Sequence, residues 1–193
     1  MSTVALTTEL EAVNTLLDAA GESPVSSLDS SGLADVAEAK KLLDEQSRLI
    51  QSPGWAFNTE YDYPLTPDVD GLINLPTNTL KVDADRTYQN IDVVQRGLRL
   101  YDRRNHTYSF TEPFRGTFVF LLGFSELPQA ARHYITVKAS RIYQARVLGS
   151  DSLHRFSEAE EMEALVAFKD AEGDSGDYNM LSGSWSVASI LER

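Results

Sequence analysis

Apolar positions recur at three- and four-residue intervals at both ends of this chain, and they alternate or cluster in its middle. Leu6, Leu10, Val13, Leu17 and Ala20 stack on one face of a helix predicted from Thr8 to Ala20. Thr8 and Glu11 have the spacing of a capping box at its start. A second helix is predicted from about Gly32 to Gln51, with Leu33, Val36, Leu43 and Ile50 as its stripe and Asp29 to Ser31 as cap candidates. Between the two, Gly21 can take the left-handed conformation that ends a helix, Pro24 prevents immediate resumption, and Val25 and Leu28 offer apolar anchors.

The pattern changes after Pro53-Gly54. Trp55-Ala56-Phe57 and the alternating Glu60-Tyr61-Asp62-Tyr63 read as strand, as do Ile73 to Leu75, Leu80 to Val82, Ile91 to Val94, Leu98 to Tyr101 and Thr117 to Phe124. Arg103-Arg104-Asn105-His106 reads as a hairpin turn leading into Thr107 to Phe110, and Phe118 to Leu122 as the most buried strand. Helical spacing returns at Leu127-Pro128, carried by Ala131, Ile135, Ala139 and Ile142 to about Leu148, with Gly149 as its stop. A fourth helix starts at Ser157, capped with Glu160. Ala159, Met162, Val166 and Lys169 lie near one face, with Leu165 and Phe168 beside it. The segment after Gly173 is rich in Gly, Ser and Asp yet holds Tyr178, Met180, Leu181, Trp185, Val187, Ile190 and Leu191. It either folds back on its own helices or docks on a neighbouring chain.

These elements predict an α+β fold. An antiparallel helical bundle is built from segments 1–54 and 125–175, a β-rich insertion spans 55–124, and an extended C-terminal tail covers 176–193. The length of 193 residues suits one domain with a sizeable insertion. No apolar run reaches the ~18 residues of a membrane span, and no secretory leader is expected. The chain has no cysteine, which excludes disulfides, zinc–thiolate sites and a cysteine nucleophile. Such a chain fits a reducing compartment, or a particle that must not cross-link.

The net charge of −12 argues against sequence-reading nucleic-acid binding but suits a wall past which nucleic acid slides without sticking. The charge is segregated: residues 127–155 hold five bases and one acid, whereas 156–193 hold nine acids and two bases. Either the third and fourth helices complement each other, or the two charges set register between subunits.

Catalytic signals are sparse. His106, His133 and His154 lack partners at metal-ligand spacing, and neither a nucleophile elbow nor a phosphate-cradling glycine pattern occurs. No catalytic, metal or cofactor residue is therefore assigned. Glu60, Asp62 and Asp102 lie near aromatics, which leaves a glycan hydrolase using acids of the insertion as the alternative function. Arg96, Arg99, Arg103 and Arg104 surround Tyr101 in a basic patch suited to protein contact, or to stacking on nucleic acid.

Several motifs together resemble one family. Glu9-Leu10-Glu11-Ala12-Val13-Asn14, Leu16-Leu17 and Gly21-Glu22-Ser23-Pro24-Val25-Ser26-Ser27-Leu28 are similar to the N-terminal signature of tail tubular protein A, the tail adaptor of short-tailed phages. Ala39 to Gln51 with Gly54-Trp55-Ala56-Phe57-Asn58, then Lys138-Ala139-Ser140-Arg141, then Tyr178-Asn179-Met180-Leu181 extend the resemblance over most of the chain. It implies a structural virion protein, assembled in the host cytoplasm, that forms a homo-oligomeric ring, twelve-fold, between the portal protein and the tail nozzle protein (tail tubular protein B). A tail fibre protein would attach nearby, and DNA would pass through the lumen without sequence-specific binding. No membrane and no cofactor are implied. The portal-docking tail would comprise Tyr178, Asn179, Met180, Leu181, Trp185, Ile190 and Leu191, and the tail or fibre contact Arg96, Arg99, Arg103 and Arg104.

Overall fold

The computed structural model describes residues 5–29, 34–88, 90–148 and 158–175. The fold is α+β, with four helices and five short antiparallel strands among these residues. The chain forms two compact units, one from 1–43 with 128–193 and one from 44–127.

The first unit is helical. Helix α1 (Glu9–Ala19) starts on a complete capping box: Thr8 Oγ1 accepts from the Glu11 amide at 3.2 Å, and the Glu11 carboxylate accepts from the Thr8 amide at 2.8 Å. It buries Ala12, Val13, Leu16 and Leu17, whereas Leu6 lies before the helix and is 53% exposed. Gly21, at φ +80°, ends it in a Schellman motif: the Glu22 amide donates to Leu17 O and the Gly21 amide to Asp18 O. The elbow that follows is clamped at two points, because the Asn14 side chain donates to Val25 O (2.9 Å) and accepts from the Val25 amide (2.8 Å).

Helix α3 (Gln129–Leu148) starts beside the start of α1. Gln129 and Arg132 bond the backbone and hydroxyl of Thr7, with the Arg132 guanidinium 2.8 Å from Thr7 O. Helix α4 (Glu158–Ser175) packs on α3 through Ala164 and Phe168, whose ring stacks on Tyr134 at 5.6 Å. Glu161 pairs with Arg141 and lies 3.9 Å from Lys138. The segregated charge is thus used, at least in part, between these two helices. The packed face of α4 is the one with Leu165 and Phe168, beside the Met162–Val166 stripe. Glu161, Ala164, Leu165, Phe168 and Glu172 turn inward, whereas Met162 is 60% and Val166 49% exposed. Helix α2 (Ala34–Gln51), whose residues from Asp44 onward count with the second unit, buries Val36, Ala39, Leu42, Leu43, Gln46, Ser47, Ile50 and Gln51, a stripe at helical spacing. The expected caps at Ser30, Ser31 and Ser157, the stop at Gly149, and Leu33 lie outside the described residues.

The second unit holds the strands. β5 (Phe114–Phe120) runs between β1 (Thr59–Leu65) and β2 (Thr79–Ala84), both antiparallel to it. β3 (Val93–Arg96) and β4 (Arg99–Asp102) form a separate hairpin. Phe118, Val119 and Phe120 are buried, but the strand ends at Phe120, before the apolar run does. The core gathers Leu65, Val82, Val93, Leu100, Phe114, Phe118 and Phe120, together with Ile73, Leu75 and Phe110 from irregular segments.

Three expected strands take other forms. Ala56–Asn58 is a 3-10 turn, because Asn58 Oδ1 holds the Trp55 amide at 2.8 Å. Ile73 to Leu75 makes one bridge, Asn74 to Arg99, cut short where Pro76 lacks a donor. Thr107 to Phe110 also reduces to one bridge, Thr107 to Asp102. The hairpin partner of β4 is β3, through the two-residue turn Gly97-Leu98. Gly97 at φ +63° supplies the positive φ that a type II′ turn needs at its first central position.

Candidate docking site on the β3–β4 hairpin

The alternation of the hairpin decides what it presents. Val93, Leu100 and Asp102 face inward and are buried, whereas Arg96, Arg99 and Tyr101 lie on the opposite face. Arg96 and Arg99 are direct cross-strand partners beside the turn. Two like charges in that register repel. Here the Arg96 guanidinium lies 3.6 Å above the Tyr101 ring, and Tyr101 packs edge-on against Tyr108 at 4.7 Å. The result is a preformed ledge of Arg, Tyr and Tyr, with exposed Arg99 and half-exposed Leu98 at its tip. Arg and Tyr dominate the energetic centres of protein interfaces.

The turn after β4 is built on a carboxylate. Asp102 is buried and accepts from the Arg104 amide (2.8 Å), the Asn105 amide (3.2 Å) and the Asn105 side chain (2.7 Å). Burial works against its charge, but these donors, led by Asn105, outweigh that penalty and hold its pKa below the usual carboxylate range. Asp102 is therefore an anchor of the turn. Its commitment sets it apart from Glu60 and Asp62, which are exposed on β1, with Asp62 at φ +55°. Arg103 is tied to Asp92 at 2.7 Å. The four arginines thus divide: Arg96 and Arg99 share one strand face, and Arg103 and Arg104 sit on the next turn. Tyr178, Asn179, Met180, Leu181, Trp185, Ile190 and Leu191 lie outside the described residues.

The elbow after α1 borders a cleft of about 420 Å³ lined by Leu17, Gly21, Glu22, Ser23, Pro24, Val25, Asp35 and Val36. Tyr143, almost fully buried, donates to the Glu22 carboxylate at 3.3 Å. Burial and the neighbouring Asp35 raise the Glu22 pKa, with the Tyr143 hydroxyl partly opposing them. A carboxyl raised by folding weakens the fold when ionised, and the penalty disappears as pH falls through its folded pKa. Glu22→Gln keeps an acceptor for Tyr143. It should stabilise the protein at pH 7 by about 0.5 kcal/mol, the scale of a part-exposed charge. The gain should shrink toward zero below about pH 4.5. Urea midpoints of both proteins at pH 7 and pH 4 measure this; an equal gain at both would point to packing instead of charge.

A basic aromatic ledge on a braced hairpin is a surface of the composition that protein contacts favour. The family model "Tail tubular protein" matches residues 10–178, and the chain belongs to that family. It is 30% identical over 160 residues to "Tail tubular protein A" of Klebsiella phage KP34, covering 82% of this chain and 84% of that protein. The protein is thus a structural component of the phage tail in the virion, from a family of tail proteins and not of enzymes.

No local signal in the sequence marked the Asn14 clamp or the Asp102 anchor. Asn14 holds a residue eleven positions away, and Asp102 looked like a surface acid among aromatics.

Proposed function

We propose that this chain is an adaptor that forms a closed ring, twelve-fold, joining the portal to the tail nozzle and lining part of the DNA ejection channel. What supports this reading most is that the hairpin ledge and the C-terminal apolar run are two separate candidate contact elements, far apart along the chain. The Arg96–Arg99 ledge is carried by the second unit, and the apolar run Tyr178 to Leu191 comes after Ser175 in the sequence. A protein that must hold two different neighbours needs two such elements. In this reading 1–54 and 125–175 make the ring body, 55–124 the arm toward nozzle and fibre, and 176–193 the portal-docking tail. The charge of −12 keeps DNA from adhering to the lumen.

Truncation before Gly176 tests the assignment. The shortened protein should keep its helical circular dichroism and melting temperature but lose binding to purified portals. Electron microscopy of the full chain with portals should show a ring. A truncated protein that still joins portals normally would remove the tail from this role.

A further inference from the structure

Helix α4 has a second stripe, centred on Met162 and Val166, that stays exposed among the described residues. Ala159, Met162, Val166, Lys169 and Gly173 follow a 3-4-3-4 spacing about 120° round the helix from the packed stripe. All five are exposed, and a Cβ on Gly173 would meet nothing within 4 Å. Exposed Glu158, Glu163 and Asp170 flank this seam. The last turn of α3 has the opposite character. Val147 is 44% and Leu148 37% exposed, beside exposed Arg146, which takes no part in the Glu161 pairs. The Met162–Val166 seam, with three acids at its rim against the single base Lys169 within it, and the base-flanked Val147–Leu148 end are opposite in sign.

We infer that the outer seam of α4 receives the α3 end, Arg146 to Leu148, of a second copy of this chain. Two different patches meeting head to tail make a heterologous contact, which closes into a ring when the rotation allows. The inference rests on the ring reading above and assigns the surfaces that would make it.

The absence of cysteine gives a clean background for the test. Met162→Cys combined with Val147→Cys or Leu148→Cys, oxidised under assembly conditions with portals, should give a ladder of covalent multimers extending beyond dimers. Adding Arg146→Glu should thin that ladder several-fold. Dimers from Met162→Cys alone would mean that the seam pairs with itself, and would overturn the proposal. So would cross-linking of Met162→Cys to Trp185→Cys within one chain, which makes the tail the occupant, or to a cysteine on the portal. Microscopy separates the two readings. A ring without a ladder sinks this contact, whereas a ladder without rings on portals sinks the adaptor assignment and leaves the contact standing.

Discussion

Asn58→Leu should destabilise the second unit by about 3 kcal/mol or more, although the two side chains have the same branching and the same number of heavy atoms. Asn58 is 2% exposed and fully engaged. Its amide donates to Gln51 O at 3.0 Å and Phe120 O at 2.8 Å, and its carbonyl accepts from the Trp55 amide at 2.8 Å. Gln51, also buried, continues the clasp by accepting from the Leu122 amide at 2.9 Å and donating to Leu122 O at 3.1 Å. Leucine would strand one donor and two acceptors away from water, each at about 1–3 kcal/mol. With the urea dependence usual for small domains, the midpoint should fall by about 1–3 M. Asn58→Asp makes the argument sharper. It retains an acceptor for Trp55 but sets a carboxylate against two carbonyl oxygens, so its folded pKa must rise. That penalty is full at neutral pH and is relieved as pH falls through the folded pKa. If Asn58→Asp is as stable as the parent at pH 7, the clasp does not hold this unit together.

Local chemistry was legible in the sequence where cause and effect lie within a few residues. Thr8 and Glu11 close their capping box because both partners sit on one turn, and Gly21 ends α1 because only its own backbone is involved. The Asn58–Gln51 clasp reaches Phe120 and Leu122, 62 and 71 positions along the chain, and leaves no periodic trace. It also explains why aromatic Trp55-Ala56-Phe57 is a turn: the side chain of Asn58 recaptures the backbone that a strand would have extended. Helix α4 shows a second kind of limit. Spacing finds apolar stripes but does not say which one meets the core, and here Phe168 on Tyr134 outcompetes Met162 and Val166. The arginines show a third. Sequence proximity grouped Arg96, Arg99, Arg103 and Arg104, whereas strand alternation puts the first two on one face and Asp92 claims Arg103.

Gly116→Val should cost about 3 kcal/mol, and the reason lies in the neighbouring strand and not in the conformation of Gly116. In β5 it pairs with Tyr63 on one side and Ala84 on the other. A Cβ there would lie 2.4 Å from Asp83 O and 3.0 Å from Leu65 Cδ1. The first contact is with backbone, so no rotamer relieves it, and β2 must move as a unit; overpacking of this kind costs roughly 1–3 kcal/mol or more. Gly97 provides the control. Its φ of +63° disfavours a side chain, yet nothing lies within 4 Å of its Cβ position. Gly97→Ala should therefore cost only about 1 kcal/mol, from backbone strain, and Gly97→Asn less, since Asn tolerates the left-handed region. The two also differ in where they act. Gly116→Val should speed hydrogen exchange at the Asp85 amide, which donates to Arg115 O at 3.0 Å across the strained pair. Gly97→Ala should leave that amide protected and disturb only the hairpin that carries Arg96 and Arg99. Equal losses from the two substitutions would mean that close strand approach at Gly116 is not what the sheet depends on.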